Sequence, residues 1–220
     1  MSGQSTQQQQ LDVPMSHAQI LRFSSKLGLA VLLMTGALGV QAQAPEPVTT
    51  VTYRKPGLDV AKYTEFRIVP LNVSDTRLIP PPWVEKPDPH EWNLTRQNRD
   101  FLVTTFASSV RKGIESDGRY KVVDDAGPGT LQLEVRLISL TPWASREEKD
   151  ATTLGSGTLT FEANVRDART GELLTAFQGT QPVGKDYQEN TPLNKASNLT
   201  EHFTTWGKNI SQRLATAQAR

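Results

Sequence analysis

The chain has 220 residues, 36% hydrophobic and 21% charged, a globular composition that excludes collagenous, disordered and multi-span membrane classes. Its 24 basic and 23 acidic residues leave a formal charge of +1, too little for the wide basic face that binding a nucleic-acid backbone requires. Zero cysteines exclude disulfides, thiolate zinc sites, iron–sulfur clusters, cysteine nucleophiles and lipid attachment through a thioether.

Residues 27–40 (LGLAVLLMTGALGV) form an apolar run preceded by Arg22 and Lys26 and followed by Ala42, Gln43 and Ala44, the three-part pattern of a secretory signal peptide. The run is shorter than the roughly 20 apolar residues of a membrane-spanning helix. It therefore reads as a cleaved leader over residues 1–42, the bland alternative being an uncleaved anchor. Cleavage after Ala44 would put Pro45 at the first mature position; cleavage after Ala42 avoids this and makes Gln43 the mature start. Met15 would open a conventional leader if it were the true start, in which case residues 1–14 are not translated. Removing residues 1–42 takes away Arg22, Lys26 and Asp12 and leaves 22 basic against 22 acidic groups.

Residues 43–57, with Pro45, Pro47, Pro56 and Gly57, read as a flexible lead-in to one domain over 58–220. Phe66 to Leu71 is β-rich and interrupted by Pro70, as a first strand would be. From 72 to 93, five prolines with Trp83 and Trp92 show no period, and a loop of that length is usually functional or disordered. Asn93 or Thr95 can cap a helix whose Leu102, Phe106, Val110 and Ile114 recur every four residues, ended by Asp117 and Gly118. Tyr120 to Asp124 reads as a short strand. After the turn at Gly127, Pro128 and Gly129, Leu131, Leu133, Val135 and Leu137 alternate with polar residues, and Leu159, Phe161, Ala163 and Val165 repeat the pattern. A turn closed by Gly171 returns the chain along 172–178. Leu199, Phe203, Trp206, Ile210 and Leu214 mark a second amphipathic helix, with Thr191 and Pro192 as its start signal. Two one-striped helices and one-faced strands predict an α+β two-layer sandwich: a mostly antiparallel sheet covered on one face by both helices.

Chemistry-bearing residues are sparse. His90 lies in the proline-rich loop beside Asp88 and Glu91 with no second histidine at ligand spacing, and reads as a solvated loop residue. His202 reads as a packing residue at the margin of the C-terminal stripe. Gly155, Ser156 and Gly157 lack the glycine spacing of a nucleophile elbow and read as the flexible start of a strand. Gly127, Pro128 and Gly129 precede a strand and so cannot offer phosphate a helix N-terminus. Asp124, Asp125, Asp167 and Glu172 fall at turns, where aspartate is favoured for local reasons, and form no calcium loop. No cofactor and no metal are expected, and no enzymatic activity. Trp83, Trp92 and Trp143 lie in connecting segments, and they are the candidate recognition surface; the alternative is that they fold the loop back as a lid on the core.

Residues 59–63 (DVAKY) leading into Phe66 to Pro70, residues 120–124 (YKVVD) with 127–131 (GPGTL), and residues 162–167 (EANVRD) with 170–172 (TGE) resemble the bacterial family called domain of unknown function 3313 (DUF3313). The resemblance spans about residues 58–184. It implies an envelope location and a compact α/β fold, and it transfers no site. Lipidated members carry a cysteine at the leader's cleavage point, where this chain has Val40, Gln41, Ala42, Gln43 and Ala44. The expectation is a periplasmic or secreted protein without a lipid anchor, which acts as a non-enzymatic accessory through an envelope protein or cell-wall component. The alternative is a small-ligand or cell-wall-glycan binding module using the 83–92 loop. Oligomeric state is left open.

Overall fold

The computed structural model describes residues 46–145, 147–148 and 150–219. The leader over 1–42, with its segment 1–14 and both cleavage sites, lies outside the described residues. The elements are β1 (Val48–Arg54), β2 (Glu65–Ile68), β3 (Arg77–Leu78), α1 (Arg96–Ile114), β4 (Lys121–Val122), β5 (Thr130–Pro142), β6 (Thr152–Leu154), β7 (Gly157–Asp167), β8 (Leu173–Val183), β9 (Tyr187–Glu189) and α2 (Pro192–Gln218).

The two alternating runs become β5 and β7, antiparallel from Leu131 opposite Asp167 to Pro142 opposite Gly157. At their shared end Asp167 Oδ1 accepts the backbone N–H groups of Arg169 and Thr170, at 3.1 and 3.0 Å, and Gly171 takes φ 75°. That closed turn sends β8 back along β7 as far as Val183, five residues past the end that the sequence pattern suggests. The main sheet has the order β1-β8-β7-β5-β2-β4, with β3 beside β5. β2 is parallel to both β4 and β5, because the chain leaves β2 and returns to β4 by way of α1.

Both helices start where the capping residues place them. Thr95 Oγ1 accepts the Asn98 N–H and Thr191 Oγ1 accepts the Asn194 N–H, each at 3.2 Å. Leu102, Phe106, Val110 and Ile114 of α1 and Phe203 of α2 are at most 3% exposed, in one core with Leu131, Leu133, Leu137 and Leu159 of the sheet. The other face of the sheet is polar, with Arg136 paired to Glu162 at 2.7 Å and Arg166 to Glu134 at 3.1 Å. The molecule is thus an α+β two-layer sandwich.

Three segments differ from the sequence reading. The lead-in expected over 43–57 contains β1, which pairs antiparallel with β8 from Val48 opposite Thr180 to Arg54 opposite Thr175. All of β1 is exposed, so it carries none of the one-faced burial by which strands are recognised. The irregular stretch 72–93 begins as a continuation of β2 along β5: Asn72 bridges to Arg136, and Arg77 and Leu78 pair with Ser139 and Leu140. Its prolines and turns break the period, but not the course of the chain. A small ribbon of β6 and β9, three residues each, has no counterpart in the sequence reading; strands so short show no alternation.

Candidate functional site

The helices run in the same direction, since Phe106 meets Phe203 edge-on at 5.4 Å and, further along, Gly113 meets Gly207. At that crossing there is no room for side chains: a Cβ on Gly113 would lie 2.8 Å from the Gly207 Cα and overlap the Thr204 carbonyl. Ser109 and Ser211 are buried as well, at 4% and 1% exposure, and Ser211 donates to Asp117 at 3.1 Å. Small residues draw the backbones together at one end, and the larger Phe106 and Phe203 hold them apart towards the N-termini. The two helices therefore diverge from Gly113 and Gly207 towards their caps, and a groove opens between their first turns.

This groove has a volume of about 860 Å³. Its floor is the end of the sheet: Thr141 and Pro142 of β5, Gly157 and Thr158 of β7, and Val183 of β8. Gly157, at φ 132°, has no space for a Cβ against the Thr141 carbonyl, so this glycine lets β7 begin flush with the end of β5. Phe101 and Leu102 of α1 face Leu193, Ala196 and Leu199 of α2 across the opening, and the proline-rich loop closes the side with Trp92 and Leu94. Phe101 at 40% and Leu193 at 77% exposure leave an apolar rim. Neither helix has an acidic residue in its first turn, so two positive helix ends, each with one N–H capped by its threonine, flank the groove, and Glu91 lies in the same lining.

The three tryptophans separate. Trp83 and Trp143 stack, with ring centroids 5.8 Å apart and planes 11° from parallel, and Trp83 remains 52% exposed. Trp92 is 9% exposed in the groove wall, and its Nε1 has no hydrogen-bond partner among the described residues; nor has Oε1 of the neighbouring Glu91. Trp92 thus forms a wall of the groove, while Trp83 and Trp143 pack on each other. The groove itself escapes sequence reading, because its lining comes from segments far apart in the chain; the small-residue spacing Gly207 to Ser211 inside an apolar stripe is the one available sign of close helix contact.

The other candidates take structural positions. Ser156 Oγ accepts the Asn198 amide at 2.7 Å, in the groove floor. His90 is exposed in its turn, with its backbone N–H on Asp88 Oδ1. His202 packs against Trp206, centroids 5.1 Å apart, and burial pushes its pKa down to about 4. Burial of Asp167 opposes its ionisation, but the Thr170 and Arg169 N–H groups and the Tyr63 hydroxyl outweigh this and hold the carboxyl below its usual range. Asp124 pairs with Arg111 at 3.1 Å and Glu172 with Lys55 at 2.6 Å. Among the described residues no group of three His, Cys, Asp or Glu could hold a metal ion, and no helix is long and apolar enough to cross a membrane.

Among curated proteins no match is found. Among solved structures the chain is similar to the PelC dodecamer from Paraburkholderia phytofirmans, at 12% identity and TM-score 0.38, over 74% of this chain and 96% of that one. A Xanthomonas campestris protein of family DUF330 matches at 13% identity and TM-score 0.44, over 76% and 92%. A DUF4136 family protein from Bacteroides thetaiotaomicron matches at 10% and 0.35, over 80% and 98%. These likenesses are too distant to carry a statement about this chain. The family described as Protein of unknown function (DUF3313) matches residues 39–210, and the chain belongs to that family.

Proposed function

We propose that this protein is a non-enzymatic binding module of the cell envelope, which holds an amphiphile with an apolar chain and an anionic head in the groove between its helix N-termini. The observation that carries the reading is the 860 Å³ apolar groove itself, which falls in the size range of small-ligand sites. Aliphatic and aromatic walls favour a hydrocarbon chain over the hydroxyl-rich surface of a glycan. Two helix ends without acidic first-turn residues favour a negative head. Binding rather than catalysis is supported by Ser156, whose hydroxyl meets an amide and not a base. The leader pattern over 1–42 and the absence of a cysteine at its cleavage point support export without a lipid anchor. The stacked pair of Trp83 and Trp143 offers less to a sugar ring, because each indole already covers one face of the other.

The test is a titration of the mature protein with decanoate, read by tryptophan emission, to which Trp92 in the groove wall contributes. A saturable change is expected, retained with the neutral decanol but weaker by about fivefold to tenfold, in line with roughly 1 kcal/mol from helix ends. Ala196→Phe, which fills the groove, should abolish it while the fold is kept by circular dichroism. No saturable response to decanoate, or an equal response from Ala196→Phe, overturns the reading. A response to peptidoglycan fragments in place of decanoate assigns the site to glycan.

A further inference from the structure

The edge of the main sheet at β1 is open. β1 pairs with β8 on one side and with nothing on the other among the described residues, and all seven of its residues are exposed. Val48, Val51 and Tyr53 stand 55%, 44% and 41% exposed, the largest apolar side chains on that edge. Natural edges of this kind are usually blocked by lysine, proline or inward charge. Here residues 47–53 (PVTTVTY) carry no charge, and the lone proline stands before the strand. The one irregularity is a bulge between Val51 and Tyr53, which leaves the strand regular from Val48 to Val51.

Charge brackets this neutral strand with opposite signs, Glu46 before it and Arg54 at its end. Both are exposed, and neither has an ion-pair partner among the described residues, whereas the next residue, Lys55, is held by Glu172 at 2.6 Å. A strand with acid at one end and base at the other is self-complementary when it meets a copy of itself antiparallel. A parallel meeting would set Glu46 beside Glu46. An antiparallel meeting brings the Glu46 end of each strand beside the Arg54 end of the other.

We propose that β1 pairs antiparallel with β1 of a second copy, in the register that sets Thr50 opposite Thr50 and brings the Glu46 end of each strand beside the Arg54 end of the other. The two-fold axis then passes at Thr50, the main sheets of both copies join into one, and Thr49 of each strand lies opposite Val51 of the other. The bulged end of one strand meets only the first residues of its partner, so the regular half of β1 carries the hydrogen bonds. The dimer does not depend on the groove, which lies at the helix N-termini.

Because the chain contains no cysteine, single cysteines test the register without background. Directly opposite residues bring Cβ atoms to about 4.5–5.5 Å, close to disulfide distance. Mature protein carrying Thr50→Cys should form a covalent dimer under mild oxidation at least tenfold faster than one carrying Thr170→Cys in the exposed turn. Val48→Cys alone should not cross-link faster than that control, whereas Thr49→Cys should link to Val51→Cys when the two proteins are mixed. Sedimentation of the unmodified mature protein should show a dimer, and Val51→Lys, with unchanged circular dichroism, a monomer. A monomer at every concentration, or Thr50→Cys linking no faster than the control, overturns the proposal. Equal linking of Val48→Cys and Thr50→Cys overturns the register and with it the charge argument.

Discussion

His202 shows how much one half-buried side chain can say. Its Nε2 is buried without a hydrogen-bond partner among the described residues, its ring lies among Phe203 and Trp206, and burial alone pushes its pKa from 6.5 to about 4. The folded protein keeps it neutral in a range where the unfolded chain takes up a proton. Stability is therefore full above about pH 6.5 and falls as the pH drops from there towards 4, by on the order of 3 kcal/mol. The lowered carboxyls of Asp117 and Asp167 act in a lower window, because their ordinary value is 3.8. Urea unfolding between pH 7 and pH 4.5 should show the decline, and His202→Phe should flatten it; the same slope in both proteins would assign the effect to other groups.

At the scale of the element, the legible parts are those whose sequence period matches one-sided burial. Leu102, Phe106, Val110 and Ile114, or Leu131 to Leu137, announce their faces because each element touches the core on one side only. β1 has no buried side and β3 only two residues, so neither leaves a pattern. In α2 the apolar stripe is correct, but the closest contact with α1 is made by Gly207 and not by the large residues. Hydrophobicity scales pass over small residues, and with them the crossing that opens the groove. Of the tryptophans singled out in the sequence, Trp92 reaches the groove because loop 72–93 folds onto the sheet end, which no local period encodes. The crossing can be tested at Gly207. In an ordinary helix interior, alanine for glycine gains about 1 kcal/mol. Here a Cβ would lie 2.8 Å from the Ile114 N and 2.9 Å from the Gly113 Cα, with backbone on both sides and nothing flexible to yield. Gly207→Ala should lose about 2 kcal/mol, a fall of about 4–8 °C in melting temperature, and should alter decanoate affinity through the changed divergence of the helices. A gain in melting temperature would show that the helices part without cost.

For the molecule as a whole, the charge balance of 22 against 22 after residue 42 decides how a ligand arrives. Ion pairs such as Arg136 with Glu162 and Arg166 with Glu134 neutralise the open face of the sheet locally, so no wide field of one sign extends into solvent. Attraction for an anionic head begins only within the last few ångströms, at the helix ends. Those contacts act after encounter, and salt reaches them by weakening the bound state. Stopped-flow mixing of decanoate with the mature protein, between about 20 and 500 mM salt, should change the association rate by less than about twofold. The dissociation rate should rise by up to about fivefold as the helix-end attraction is screened. An association rate that fell steeply with salt would mean that a charged surface steers the ligand, and would move the search for the binding site away from the neutral groove.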